Sequence, residues 1–269
     1  MQQFSLWQVL VLAVVQGVTE FLPVSSDGHL ALIEPLLWGR GTELPKSMDL
    51  TIVLHLGTLG SILVFYRHWI ARLLGQDRRA LWLIVVGTLP AVGLVLLCKF
   101  VFDKAFEPVL KSTLLTGFML PVTGIALIWA QRAGAGERTY RDLSWFESLL
   151  IGIAQAAAIL PGLSRSGSTI AAGMALKLSR PAAATYSFLL AIPALAGAGV
   201  YEAFSMAKDK VPLSTSSGNL LIGALVSFVV GLAALGLLKR IVEHARLHYF
   251  GWYCILLGAI VIVSHFVRG

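Results

Sequence analysis

Apolar positions along this chain come in long unbroken blocks separated by short, basic or mixed loops. A helix crosses the hydrocarbon core of a bilayer with roughly 20 such residues. Six blocks qualify: residues 48–65, 81–98, 112–129, 183–204, 219–238 and 249–267. Two further apolar regions, 4–38 and 145–178, are each interrupted near the middle, the first by Pro23-Val24-Ser25-Ser26-Asp27-Gly28 and the second by Pro161 to Gly167. Each is too short for two spans and too polar at its break to face lipid. Both therefore predict re-entrant helix–loop–helix hairpins, which persist at membrane depth only where protein or a water-filled cavity surrounds them.

The two breaks resemble one another. At an offset of 139, Gln16 falls on Gln155, Ser25 on Ser164 and Gly28 on Gly167. Each hairpin is followed by three spans, an odd number, so the second half enters from the opposite side. The predicted fold is all-α: a polytopic membrane protein of six transmembrane helices and two re-entrant hairpins in an inverted-topology repeat. The halves, 1–139 and 140–269, form one integrated membrane domain, and the arrangement places a site where the hairpins meet.

Composition agrees with this pattern. With 57% hydrophobic residues, 13% charged residues and a mean hydropathy of +0.80, the chain reads as an integral membrane protein. The first apolar run has no basic n-region and carries Gln16 and Glu20, so it does not read as a cleavable signal. Cys98 and Cys254 lie in apolar runs and support neither a disulfide framework nor a metal cluster. The net charge of +7 falls in loops between spans, where topology and lipid headgroups account for it, and no nucleic-acid partner is expected. The larger share of Lys and Arg (Arg67, Arg72, Arg78, Arg79, Arg132, Arg138, Arg141, Lys177, Arg180, Lys239, Arg240 and Arg246) lies in one set of loops. That set is assigned to the cytoplasm, with the base of the first hairpin outside and that of the second inside.

The second break, Pro161-Gly-Leu-Ser-Arg-Ser-Gly-Ser-Thr169, stops one helix and starts the next among Ser166, Gly167, Ser168 and Thr169. Its free N–H groups, its hydroxyls, the helix dipole and Arg165 favour an oxyanion, phosphate above all. A polar corner at a membrane surface would also use Ser and Gly, but an arginine between apolar helices is costly and marks a site. In the first break, Gln16 and Glu20 are four apart and share a helix face. Capping alone needs one polar residue, whereas this stretch carries Glu20, Ser25, Ser26, Asp27 and His29 together. Glu20 and Asp27 could hold a divalent cation, Ser26 could attack phosphorus and His29 could protonate a leaving oxygen, with Arg165 stabilising the transition state. Spacing leaves open which residue is nucleophile and which is base. His55, near Gly57 and Gly60, reads as a hydrogen-bonded packing residue, and Thr88 to Gly93 as a helix kink and close-packing point.

These two stretches, Gln16…Glu20-Phe-Leu-Pro-Val-Ser-Ser-x-Gly-His29 and Pro161-Gly-x-Ser-Arg-Ser-Gly-x-Thr169, resemble those of the undecaprenyl-pyrophosphate phosphatase family of bacterial inner-membrane enzymes, known for bacitracin resistance. The resemblance extends over essentially the whole chain. It implies hydrolysis of undecaprenyl diphosphate to undecaprenyl phosphate and inorganic phosphate, recycling a lipid carrier for cell-wall synthesis. It implies a core site of Glu20, Ser26, His29 and Arg165, surrounded by Gln16, Ser25, Ser164, Ser166 and Thr169. A Mg2+ or Ca2+ ion, a homodimer and a site toward the outer face follow from it as expectations. Two positions depart from the commonest pattern: Gln16 where many members carry glutamate, and Asp27 where threonine is common. The working hypothesis is that Asp27 restores the charge missing at Gln16. The alternative reading is a transporter or flippase of a polyprenyl-phosphate lipid, because broken helices meeting at a midplane are typical of transporters.

Overall fold

The computed structural model describes residues 3–38, 48–98, 109, 112–134, 136–209 and 213–268. Among them the chain is helical: α1 (Leu6–Thr19), α2 (Ser26–Trp38), α3 (Met48–Phe65), α4 (Arg67–Leu74), α5 (Arg78–Leu97), α6 (Thr113–Ala133), α7 (Trp145–Ala157), α8 (Arg165–Ala175), α9 (Arg180–Asp209), α10 (Ser217–Glu243) and α11 (His248–Arg268). Six of these, α3, α5, α6, α9, α10 and α11, are long and apolar enough to cross a membrane, and the chain is a multi-pass membrane protein. The spans lie where hydropathy predicts them, with longer ends: α9 begins at Arg180 and runs through Pro193, beyond the expected 183–204. The pattern missed α4, a short helix with exposed Arg67 and Arg72 and a buried Leu73, because its length and polarity resemble a loop.

Contacts at the helix ends fix the course of the two hairpins. At one end of the bundle, the Phe4 ring meets Trp38 edge-on at 5.2 Å, so the start of α1 lies beside the end of α2. Gln8 Nε2 donates to the Leu37 carbonyl (3.0 Å), closing the same pair. Phe4 N–H donates to Ser214 O (2.9 Å), and Ser214 N–H donates to Asp49 Oδ2 (2.7 Å), which brings the starts of α10 and α3 to this end. At the opposite end, Ser144 caps α7 through Glu147 N–H (3.1 Å). Arg138 forks onto both Glu147 oxygens (2.7 and 2.9 Å) and also reaches the Leu176 carbonyl (3.0 Å). The start of α7 and the end of α8 therefore sit together. Arg141 pairs with Asp77, and Arg79 donates to the Arg141 and Leu143 carbonyls, which adds the start of α5. Each hairpin thus enters and leaves at its own end, the α1 end and the α7 end.

Helix pairing repeats when the halves are exchanged: α1 lies along α10 and α7 along α5, while α3 meets α9 and α6 meets α11. Small residues permit these approaches. A Cβ on Gly152 would run into the Gly87 carbonyl, one on Gly57 into Ser227 and Ala224, and one on Gly258 into Pro121. Close packing in α5 therefore falls on Gly87. Gly93, included in the expected packing point, has open space around it. A buried knot ties α5, α7 and α9: Ser148 Oγ donates to Leu83 O (2.6 Å), and Tyr186 OH donates to the same carbonyl (3.0 Å).

A side chain at the α5–α7 contact has nowhere to go. Gly152→Val should lower stability by about 1–3 kcal/mol, whereas Gly93→Val should stay within about 0.5 kcal/mol. Unfolding followed in detergent tests both, and equal effects would contradict the packing described.

Candidate active site

Both hairpin tips are built to hold side chains in place. Chain direction reverses between α1 and α2 over residues 20–25, ending on Ser25, whose φ of 69° lies in the left-handed region. A residue with a Cβ held there costs on the order of 1–3 kcal/mol and persists only where neighbours fix it. The fixing bonds are local. Gly28 N–H donates to Ser25 Oγ (3.3 Å), and His29 gives its backbone N–H (3.2 Å) and ring Nδ1 (2.8 Å) to the Ser25 carbonyl. In the second tip, Gly162 has a φ of 91°, and a Cβ there would strike the Thr116 backbone. Ser164 N–H donates to Thr123 Oγ1 (2.9 Å), and Ser164 Oγ caps α8 by accepting from Gly167 N–H (3.1 Å). The helix begins at Arg165, a residue earlier than the sequence suggests, because Ser164 serves as the cap. Gly167 N–H is consumed by that cap and Ser168 N–H by the Ser164 carbonyl (2.8 Å), so fewer donors are left for a ligand than expected.

The tips touch. Ser166 Oγ donates to Leu22 O (3.4 Å), and a Cβ on Gly28 would lie 3.4 Å from Gly162 Cα. At their junction is the Glu20 carboxylate. Its Oε1 accepts from Arg165 Nη2 (2.7 Å), and its Oε2 accepts from Ser26 Oγ (2.8 Å) and Gln16 Nε2 (3.0 Å). The Glu20 side chain is 5% exposed and that of Arg165 17%. His55 Nε2 stands 3.8 Å from the same Oε2, while its Nδ1 donates to the Thr51 carbonyl (2.8 Å). These groups floor a cavity of about 360 Å³. Ala91 and Val95 of α5 and Ala194, Leu195 and Ala198 of α9 form its apolar wall. Thr51, Val95 and Glu202, which also line it, lie in the parts of α3, α5 and α9 nearer the α1 end.

Of the residues singled out from the sequence, Glu20, Ser25, Ser26, Asp27, Ser164, Arg165 and Ser166 line this cavity, and Gln16 binds Glu20 from behind. Besides Gln16, three others do not line it. Gly167 belongs to the α8 cap, and Thr169 hydroxyl donates to the Arg165 carbonyl (2.8 Å) and meets Ser187 (2.6 Å). His29 is turned away: a carbonyl only accepts, so its Nδ1 carries a proton toward Ser25, and its Nε2 meets Tyr253 OH (2.7 Å). In this arrangement the residue expected to serve as leaving-group acid is buried and bonded to the Ser25 turn. His55, read as packing, is the histidine facing the cavity. Nothing in its spacing signals this, since it sits on a different helix from Glu20. Gln155 and Glu202 also line the cavity. The repeat offset pointed at Gln155; no sequence signal points at Glu202.

Among the described residues no three His, Cys, Asp or Glu side chains gather into a metal cluster. A Mg2+-like ion commonly takes one or two carboxylates and completes its shell with water and substrate phosphate oxygens. Glu20 and Asp27 on one cavity wall fit that requirement, although three donors already occupy the Glu20 oxygens. Cys98 and Cys254 are both free thiols, and Cys254 Sγ lies 3.6 Å from the Pro23 carbonyl, packed against the first tip.

A family model described as bacitracin resistance protein BacA matches residues 9–260. An undecaprenyl-diphosphatase of Rhodopirellula baltica is 46% identical over 259 residues, covering 96% of this chain and 98% of the relative. Proteins of the same name from Desulfatibacillum aliphaticivorans (40% identical over 287 residues, 97% and 99% covered) and Methanosphaera stadtmanae (38% over 277 residues, 94% and 96% covered) are similarly related. By the length of these matches, the chain belongs to the BacA bacitracin-resistance family.

Proposed function

We propose that this chain hydrolyses undecaprenyl diphosphate to undecaprenyl phosphate and inorganic phosphate, the activity that the names of its relatives state, and that the cavity between the hairpin tips is where it does so. One observation carries the site assignment: Ser26 donates to the same carboxylate that Arg165 grips from a helix start 145 residues away, at the polar floor of an otherwise apolar cavity. A hydroxyl, a carboxylate oriented to take its proton and a guanidinium with a second arm suit phosphoryl transfer.

In this reading Ser26 Oγ attacks the terminal phosphorus and its proton passes to Glu20 Oε2. The bond from phosphorus to the bridging oxygen breaks, and the lipid monophosphate departs with that oxygen, which takes the proton from Glu20. Water then attacks the phosphoserine, its proton passing to the freed Glu20 carboxylate, which returns it to Ser26 Oγ as the phosphorus–serine bond breaks and phosphate leaves. Arg165 offsets charge through Nη1, a buried atom with no protein partner among the described residues, while Nη2 keeps Glu20 in place. Gln16 holds the other carboxylate oxygen, and His29 with Tyr253 holds the turn that presents Ser26. A bound divalent cation, held by Asp27 and Glu20, would supply further charge neutralisation to the phosphates. The apolar wall suits the prenyl chain.

The same reading includes the inverted repeat, with halves 1–139 and 140–269 each giving one re-entrant hairpin. The exchange-symmetric helix pairing supports it. It also places the protein in a bacterial inner membrane with the cavity outward. The lining by the α1-end parts of α3, α5 and α9, opposite the Arg-rich α7 end, supports that orientation. A homodimer is carried with it on the resemblance alone.

Purified protein in detergent should release phosphate from farnesyl or undecaprenyl diphosphate; a pure lipid carrier would release none. Glu20→Gln and Ser26→Ala should each lower kcat by roughly 10²–10⁴-fold in correctly folded protein, and retained turnover in either removes that residue from the chemistry. Asp27→Thr should raise the Mg2+ concentration needed for half-maximal activity several-fold, with Gln16→Glu restoring it in the double variant. An unchanged cation requirement in Asp27→Thr would refute the compensation between these two positions.

A further inference from the structure

Gln155 stands on the last turn of α7, 5% exposed, and lines the cavity floored by Glu20 and Arg165. Among the described residues neither its Nε2 nor its Oε1 has a hydrogen-bond partner. Leaving both ends of a buried amide unmatched is unfavourable, and native proteins tolerate it mainly where something else supplies the partner. Arg165, which lines the same cavity, has its Nη1 in the same condition.

The pseudo-equivalent residue shows why this amide is free. Gln16 spends its Nε2 on Glu20, four residues along its own helix. At the offset relating the hairpins, the position matching Glu20 is Ile159, whose side chain has no group to accept a hydrogen bond. The second hairpin therefore carries the same amide without its internal partner, on a residue that lines the cavity.

Resting on the reading of that cavity as the active site, we propose that Gln155 is a substrate-positioning residue whose amide hydrogen-bonds a phosphate oxygen of the diphosphate held by Arg165. A neutral amide suits this place. Arg165 already spends part of its charge on Glu20, and a second cation beside it would compete for that carboxylate. The amide adds a directed donor without disturbing the Glu20–Arg165 pair, and its oxygen can accept from a protonated phosphate oxygen or a bound water.

The test uses Gln155→Met, which keeps the length and removes the polar atoms, and Gln155→Asn, which keeps the amide on a shorter stem. Expected for Gln155→Met is a rise of about tenfold in both KM for farnesyl diphosphate and Ki for inorganic pyrophosphate, with an unfolding temperature no lower than the parent's. Gln155→Asn should fall between. Unchanged KM and Ki overturn the assignment, and so does a fall in kcat alone. Should Gln155→Met fail to fold, the same two constants measured on Gln155→Asn decide. Ser26→Ala assayed in parallel separates the two levels: if it retains turnover, the active-site reading falls, whereas if it is inactive and Gln155→Met keeps both constants, only the role of Gln155 falls.

Discussion

The Glu20–Arg165 pair is the contact on which the remainder of the structure depends. Both groups belong to segments otherwise fit for lipid, and isolated charges there would be expensive. Together, with Gln16 and Ser26 completing the carboxylate's partners, they form a closed set in which each charge is matched. Removing one member would leave the other buried and uncompensated, a loss of about 3–5 kcal/mol. The pair therefore does two things at once. It fastens the tips of two hairpins that enter the bundle from opposite ends, and it fixes the carboxylate against the serine hydroxyl.

Helix packing serves that contact. Gly152 against Gly87 and Gly57 against Ser227 let the hairpins and spans lie close enough for short side chains to meet at the centre. Gly162 lets the second tip run along the Thr116 backbone, and Ser25 accepts a left-handed backbone so that Ser26 can open α2 facing Glu20. The cost of that turn is offset by the three donors gathered around Ser25, two of them from His29.

Much of the architecture was legible in the sequence because it follows from hydropathy. Blocks long enough to span appear as spans, and the two interrupted blocks appear as paired short helices. Glu20, Asp27 and Arg165 were also legible, since charged residues at breaks in apolar runs stand out against their background. What spacing could not give is direction. His29 shares a motif with Ser26 but points behind it, toward Tyr253 on the last helix, a contact made across 224 residues. His55 reaches Glu20 only because α3 packs beside the first hairpin. Glu202 enters the cavity from a helix whose sequence shows only an ordinary span with a polar residue toward its end. Short α4 was invisible because eight residues with three charges or near-charges carry no spanning signal.

Glu20 and Arg165 are separated by 145 residues, which has a consequence for how the chain is made. At synthesis rates of about 5–20 residues per second, the carboxylate emerges on the order of ten seconds before its guanidinium. During that interval the first half can offer it Gln16, Ser26 and the His55 imidazole, but not the Arg165 guanidinium. The fixed positive charge that faces this carboxylate is thus supplied only by the second half of the chain, so the floor of the cavity is completed late, as the two hairpin tips meet.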